Sequence, residues 1–182
     1  MAERVLTMGG APSRIVIDPG DVDNPILAFG LVLWRRARQN RMVPRETDFS
    51  SRDLSTHAES LTVCEALPGM NDFRYRFVGD KVKDYFRGAA PDRTLREIFA
   101  ALDAAALDGA VSLFRTACEE KVPVRITSPR GNINDVDYAD FDALYLPFSS
   151  GPPPAMSVVS MYTFNYEQFR RTGSVVSLFP AP

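Results

Sequence analysis

One histidine and two cysteines are the side chains of this sequence best suited to nucleophilic or soft-metal chemistry, and their positions decide what chemistry is open to it. His57 stands in a polar stretch, Glu46 to Ser60, ahead of the first strand pattern. Cys64 (in Val-Cys-Glu) and Cys118 (in Ala-Cys-Glu) sit far apart inside apolar patterns. A zinc site wants about four nitrogen or sulfur ligands, which these three residues cannot readily supply. Histidine-ligated haem needs an imidazole on a pocket element, and the His57 loop is not one. A Ser-His or Cys-His pair would have to use His57, and nothing places it beside a nucleophile. Asp135, Asp137, Asp140 and Asp142 form an acidic cluster, but it lacks the glycine and terminal glutamate of an EF-hand loop. It reads as the solvated side of a loop and strand edge. No metal, no cofactor and no catalytic residue is expected, and the chain is not read as an enzyme.

The stretch FRYRFVGDKVKDYFRG, residues 73–88, poses a sharper question. Phe73, Tyr75 and Phe77 alternate with Arg74, Arg76 and Val78, the period of a half-buried strand. After Gly79 the apolar residues Val82, Tyr85 and Phe86 recur at helical spacing, and Gly88 ends the turn. A strand–glycine–helix junction can cradle phosphate or wall a small-molecule pocket. A phosphate loop wants several glycines and a lysine; here Gly79 is followed by Asp80, whose charge repels phosphate. The junction therefore reads as a turn with its aromatics in the core, or as a pocket wall in which those aromatics also touch a ligand.

The elements that position these residues follow from length, charge and periodicity. The chain has 182 residues, 45% hydrophobic and 24% charged, with a net charge of −2. That length suits one domain with a real core. The charge argues against nucleic-acid binding, which favours basic chains. Too little cysteine is present for a disulfide scaffold, so both cysteines read as reduced core residues. With no signal-peptide core and no apolar run near ~18 residues, neither secretion nor membrane insertion is expected, and a soluble cytoplasmic protein follows.

Residues 1–23 read as an N-terminal arm, the first ~20 of them mixed and glycine-rich, either a loose arm or an edge strand (Arg14 to Ile17). Asn24-Pro25 opens a helix over 24–39, asparagine as N-cap and proline at the first helical position. Strands are predicted near 61–67, 72–79, 122–128, 138–149 and 155–165. Thr94 and Glu97 form a capping box ahead of a helical region reaching Lys121, with a break or kink at Asp108-Gly109. The domain spans 24–166 and the tail 167–182. Strands in runs, not alternating with helices, mean an α+β fold with a five-stranded antiparallel sheet, helices on one face and an N-terminal helix.

The order of two strands, a helical middle and three strands resembles a PAS domain. The motif W-x-x-A-R-x-x-R-x-x-P-x-R-x-D-F, carried by Trp34, Ala37, Arg38, Arg41, Pro44, Arg45, Asp48 and Phe49, sharpens this. With Arg74-Tyr75-Arg76, Gly79 and Leu146-Pro147, it resembles a family of stand-alone bacterial PAS-like proteins over roughly residues 26–165. The resemblance implies a small sensory or regulatory module that works through partners. The Asn-Cys-Arg-Phe setting of flavin-binding light sensors surrounds neither cysteine.

The expected ligand pocket, for a small non-covalent ligand, is lined by Tyr75, Phe77, Tyr85, Phe86, Phe99 and Tyr145. The apolar positions of the 24–39 helix cover two faces, so Leu27, Leu31 and Trp34 are expected to form a homodimer or signalling-partner surface. Arg35, Arg36, Arg38, Arg41 and Arg45 are compatible with a solvated helix end, with ion pairs to Asp48 or Asp53, and with a surface for an anion or acidic partner. The alternative function is an enzyme or carrier on a cone-shaped α+β fold of the steroid-isomerase kind, which would want Asp142 or Glu65 inside a deep pocket.

Overall fold

The computed structural model describes residues 2–8, 11–100, 104–133, 136–151 and 155–165. The tail expected over 167–182 lies outside them, as does Asp135 of the acidic cluster. Strands β1 (Ala2–Met8) and β2 (Ala11–Ile17) come first, then helix α1 (Pro25–Arg38) and the short α2 (Ser51–Ser55). A hairpin follows, β3 (Leu61–Ala66) and β4 (Phe73–Val78). Helices α3 (Asp80–Tyr85), α4 (Leu95–Ile98) and α5 (Ala104–Glu120) lead to β5 (Val124–Ile133), β6 (Val136–Ser149) and β7 (Met156–Asn165).

The fold is α+β and the sheet antiparallel, but it has seven strands and not five, in the order β1-β2-β5-β6-β7-β3-β4. The two extra strands are the supposed arm. Strand β1 pairs with β2 from Ala2↔Ile17 to Met8↔Ala11, and β2 pairs with β5 from Arg14↔Thr127 to Ile17↔Val124. Gly9-Gly10 between two short apolar runs is a hairpin signal that reads equally well as a loose linker. What decides is burial: Ile15 and Ile17 join the core at 6% and 8% exposure.

Helices cover both faces of the sheet, so the one-faced arrangement is also corrected. On the inner face α3, α4 and α5 pack their apolar residues onto Tyr75, Ile126, Phe141 and Tyr145. On the outer face α1 packs over Leu144, Leu146, Val159 and Met161. Helix α1 starts as its sequence dictates: the Asn24 carboxamide oxygen accepts from the backbone N–H groups of Ile26 (3.1 Å) and Leu27 (3.3 Å), with proline at the first turn. The Thr94–Glu97 capping box forms as expected, heading a single turn. The break expected at Asp108-Gly109 does not occur; α5 runs through it. A mid-helix glycine costs ~1 kcal/mol, less than the burial of Val111, Phe114 and Cys118 along the same face returns.

The loop after α3 covers part of the β4 edge, where the Tyr75 N–H donates to Arg93 O and the Asp92 N–H to Tyr75 O, both at 2.8 Å. Among the described residues no helix is long and apolar enough to cross a membrane.

Candidate functional site

Gly79 answers the question of the strand–helix junction. It caps α3, and its backbone N–H donates to the Leu61 carbonyl at 2.9 Å. A Cβ at this position would overlap the carbonyl oxygens of Ala58 and Glu59. Glycine is required here by the close approach of another backbone, not by an anion.

That junction delivers part of an aromatic interior. Tyr75, Phe86, Phe99 and Tyr145 come together on the inner face, at 1%, 4%, 6% and 4% exposure. The Phe86 ring meets Phe99 edge-on at 5.2 Å, and Tyr145 meets Phe114 at 4.8 Å. Tyr85 lies at the margin, half-buried and stacked on Phe164 at 3.5 Å. Phe77 does not belong. The register shifts between Val63 and Cys64, which face Phe77 and Tyr75, leaving Arg76 unpaired as a β-bulge. The bulge turns Phe77 to the opposite face, 40% exposed, and brings Val78 inward instead. Strict alternation does not reveal a one-residue insertion.

Sequence reasoning missed Tyr162, which stands at the centre of this cluster. It lies 5.3 Å from Phe86 and 6.2 Å from Tyr145, opposite the small Ala143 in the β6–β7 register. The alternation of Val158, Ser160, Tyr162 and Phe164 could have found it. The Tyr162 hydroxyl is 3.4 Å from the Thr62 hydroxyl. The Tyr75 hydroxyl is buried with no hydrogen-bond partner among the described residues. Burial, and next the neighbouring Tyr162, push the Tyr75 phenol well above its ordinary pKa, so it stays a neutral donor.

The outer face accounts for the sequence motif. The Trp34 indole N–H donates to the Pro147 carbonyl at 2.6 Å, and Phe49 meets Phe148 edge-on at 5.7 Å. The Ser149 N–H donates to the Pro44 carbonyl at 2.9 Å. Arg41 pairs with Asp48 and donates to the Ala37 carbonyl, and the Arg45 N–H donates to the Asp48 carboxylate at 2.6 Å. The motif is thus a clasp joining α1 and its following loop to the end of β6. Leu27, Leu31 and Trp34, expected at a dimer or partner surface, are buried at 0%, 2% and 1%. They face the sheet and offer a second chain nothing; the surplus stripe of α1 is covered by the protein's own strands.

Near the start of α1 lies a polar network. Arg125 donates to both oxygens of Asp142 (3.0 and 2.7 Å) and to Asp23 (3.2 Å). The Asn24 amide donates to the Thr163 hydroxyl at 3.0 Å. Burial raises the pKa of Asp142 against the opposing pull of Arg125. Asp142 is therefore on the α1 side, paired, and remote in face from the aromatic interior. Glu65 is paired with Arg74 at 3.7 Å, both partly exposed. Neither is an acid or base aimed into a pocket.

His57 stands edge-on to Phe29 at 5.0 Å, beside a narrow crevice between α1 and α2. Both cysteines are buried and unpaired, and burial lifts both thiols well above their usual pKa. Among the described residues no group of three or more His, Cys, Asp or Glu is placed to hold a metal. Fold and site together define an α+β domain with one antiparallel sheet, an aromatic interior on one face and a clasped helix on the other. No protein-family model, no curated protein and no solved structure matches the chain.

Proposed function

We propose that this chain is a sensory or regulatory module of the PAS-like kind, acting through protein–protein contacts and tuned by a small non-covalent ligand in the aromatic interior. The observation that carries the reading is the Tyr75 hydroxyl, which lies buried in the cluster of Phe86, Tyr145 and Tyr162 without a hydrogen-bond partner among the described residues. Buried polar groups are nearly always hydrogen-bonded, because leaving one unpaired costs about 1–3 kcal/mol. A ligand offering one acceptor to Tyr75 and aromatic or aliphatic surface to the rings around it supplies the missing bond. The family resemblance supports the same reading through its order of two strands, helices and three strands, which recurs in the chain from β3 to β7.

Native mass spectrometry of protein purified from its own host tests it, together with Tyr75→Phe. A bound molecule in the wild type, lost or reduced several-fold in Tyr75→Phe, is the expected result. Ligand-free protein whose stability is unchanged or raised by Tyr75→Phe overturns the ligand, since removing an orphan hydroxyl then relieves a cost.

A further inference from the structure

The inner face of the sheet holds a second buried hydroxyl besides that of Tyr75. Side chains alternate along β7. Val159 and Met161 pack on the α1 side, so Ser160 between them points with Val158 and Tyr162 into the aromatic interior. It is fully buried, opposite Thr62 of β3 and Tyr145 of β6 in the sheet register. Burial raises the Tyr162 phenol's pKa and the nearby Ser160 hydroxyl opposes the rise. That hydroxyl nevertheless makes no hydrogen bond of proper geometry among the described residues. Tyr75 and Ser160 thus leave two hydroxyls unmet on one face, from β4 and β7 with β3 between them. Buried polar groups are rarely left so, and two together point to one occupant.

Charge limits what that occupant is. Among the described residues no buried side chain belongs to Lys, Arg, His, Asp or Glu; the buried polar groups are serine, threonine, tyrosine and cysteine. The half-buried Asp72 carboxylate, whose field reaches Tyr75 and Cys64, is taken up by the backbone N–H groups of Phe73 (2.8 Å) and Arg96 (3.3 Å). Burial raises the phenols of Tyr75, Tyr145 and Tyr162 and the Cys64 thiol alike, so the interior already resists negative charge. An anion would find no cation there, and a cation no uncommitted buried carboxylate. Burying an ion without a counter-charge is far costlier than burying a neutral oxygen that keeps a hydrogen bond.

We infer that the ligand of this interior is an uncharged, mostly apolar molecule whose hydrogen-bonding groups are neutral oxygens (a ketone, alcohol or phenol), held by the hydroxyls of Tyr75 and Ser160. The inference rests on the ligand reading above and adds the chemical class of the ligand and its second contact. Aromatic walls with a few polar anchors are how sites for such molecules are built. The competing occupant is an internal water bridging the same hydroxyls.

Two measurements on the full chain test it. The molecule carried by host-purified protein is extracted and identified by mass spectrometry. In parallel the protein is titrated calorimetrically with acetophenone, benzoate and benzylammonium, probes of similar shape that are neutral, anionic and cationic. The expected results are a neutral oxygen-bearing molecule from the host and acetophenone bound at least about tenfold tighter than either ion. Affinity should fall about fivefold in Tyr75→Phe and in Ser160→Ala, each of which removes only a hydroxyl and is checked for folding by circular dichroism. A charged molecule or a bare hydrocarbon from the host, or an ion bound as well as acetophenone, overturns the inference while leaving the ligand reading standing. Binding indifferent to Ser160→Ala does the same. Where host molecule and probes disagree, the host molecule decides. No host molecule and no probe binding, with an internal water only between the two hydroxyls in a crystal structure or with nothing there, removes both readings.

Discussion

The indole N–H of Trp34 and the carbonyl of Pro147 meet at 2.6 Å across 113 positions of chain, fully buried. This bond ties α1 to a carbonyl near the end of β6, and the apolar ring fills the space around it at 1% exposure. The two contributions separate by mutation. Trp34→Phe keeps much of the packing but leaves the Pro147 carbonyl unpaired, and should cost about 1–3 kcal/mol in urea denaturation. Trp34→Ala adds a cavity and should cost about 3–5 kcal/mol. Equal losses for the two variants would mean that the hydrogen bond contributes nothing.

Gly79→Ala should be among the most damaging single-methyl substitutions in the chain. Its φ of −70° suits any residue, so backbone strain is not the cause. The new Cβ would run into two backbone carbonyls, Ala58 O and Glu59 O, which cannot swing aside as a side chain can. A loss of about 3 kcal/mol or more is expected, at the upper end for overpacking. Gly20→Ala, with open space around it, is the matched control and should lie within about 0.5 kcal/mol of wild type. A thermal melt of both variants decides; similar midpoints would remove close approach as the reason for Gly79.

Cys64 and Cys118 should be silent to thiol reagents in the native protein. Both are buried, at 0% and 1% exposure, and burial pushes the Cys118 thiol up to about 12 and Cys64 higher still. The thiolate is the reactive form, so at pH 8 neither access nor ionisation favours reaction. Labelling with an aromatic disulfide reagent should give no prompt release of chromophore, and two equivalents once guanidinium is added. One fast-reacting thiol in the folded state would contradict the buried placement.

These features were unequally legible in the sequence. The Asn24 cap, the Thr94–Glu97 box and the strands from Leu61 onward announce themselves, because capping and alternation act within a few residues. The pairing of β2 with β5 does not, since Arg14 and Thr127 are brought together by a sheet register that no local pattern encodes. The bulge at Arg76 misled in the other direction: the pattern from Phe73 to Phe77 is regular, and only the partner strand shows that Phe77 has changed face. The broad stripe of α1 suggests a second, free face, but Leu27, Leu31 and Trp34 pack on the sheet while Leu33 lies with the α2 segment. The arginine motif was visible as a motif, while its role as a clasp depended on knowing where the end of β6 lies.

Arg125 and Asp142 provide a prediction in which pH carries the sign. Their side chains are only 17% and 16% exposed, so removing one partner strands the other. Arg125→Met should cost about 3–5 kcal/mol near neutral pH, because Asp142 then keeps its charge in a half-buried site without compensation. Burial already raises the folded pKa of Asp142 above its ordinary 3.8, against the pull of Arg125. The folded state therefore binds that proton more tightly than the unfolded chain does. Stability from this group is full below the unfolded value and falls as pH climbs towards the folded one. Without Arg125 the folded pKa rises further, so the window widens upward. The deficit of Arg125→Met relative to wild type should be smallest near pH 3.5 and grow through pH 5 to 7. Adding Asp142→Asn, which removes the charge and nearly keeps the shape, should recover much of the loss and flatten the pH dependence. Urea titrations of the three proteins across that range check it, and a deficit that does not change with pH would show that Arg125 acts through packing of its stem and not through the charge of Asp142.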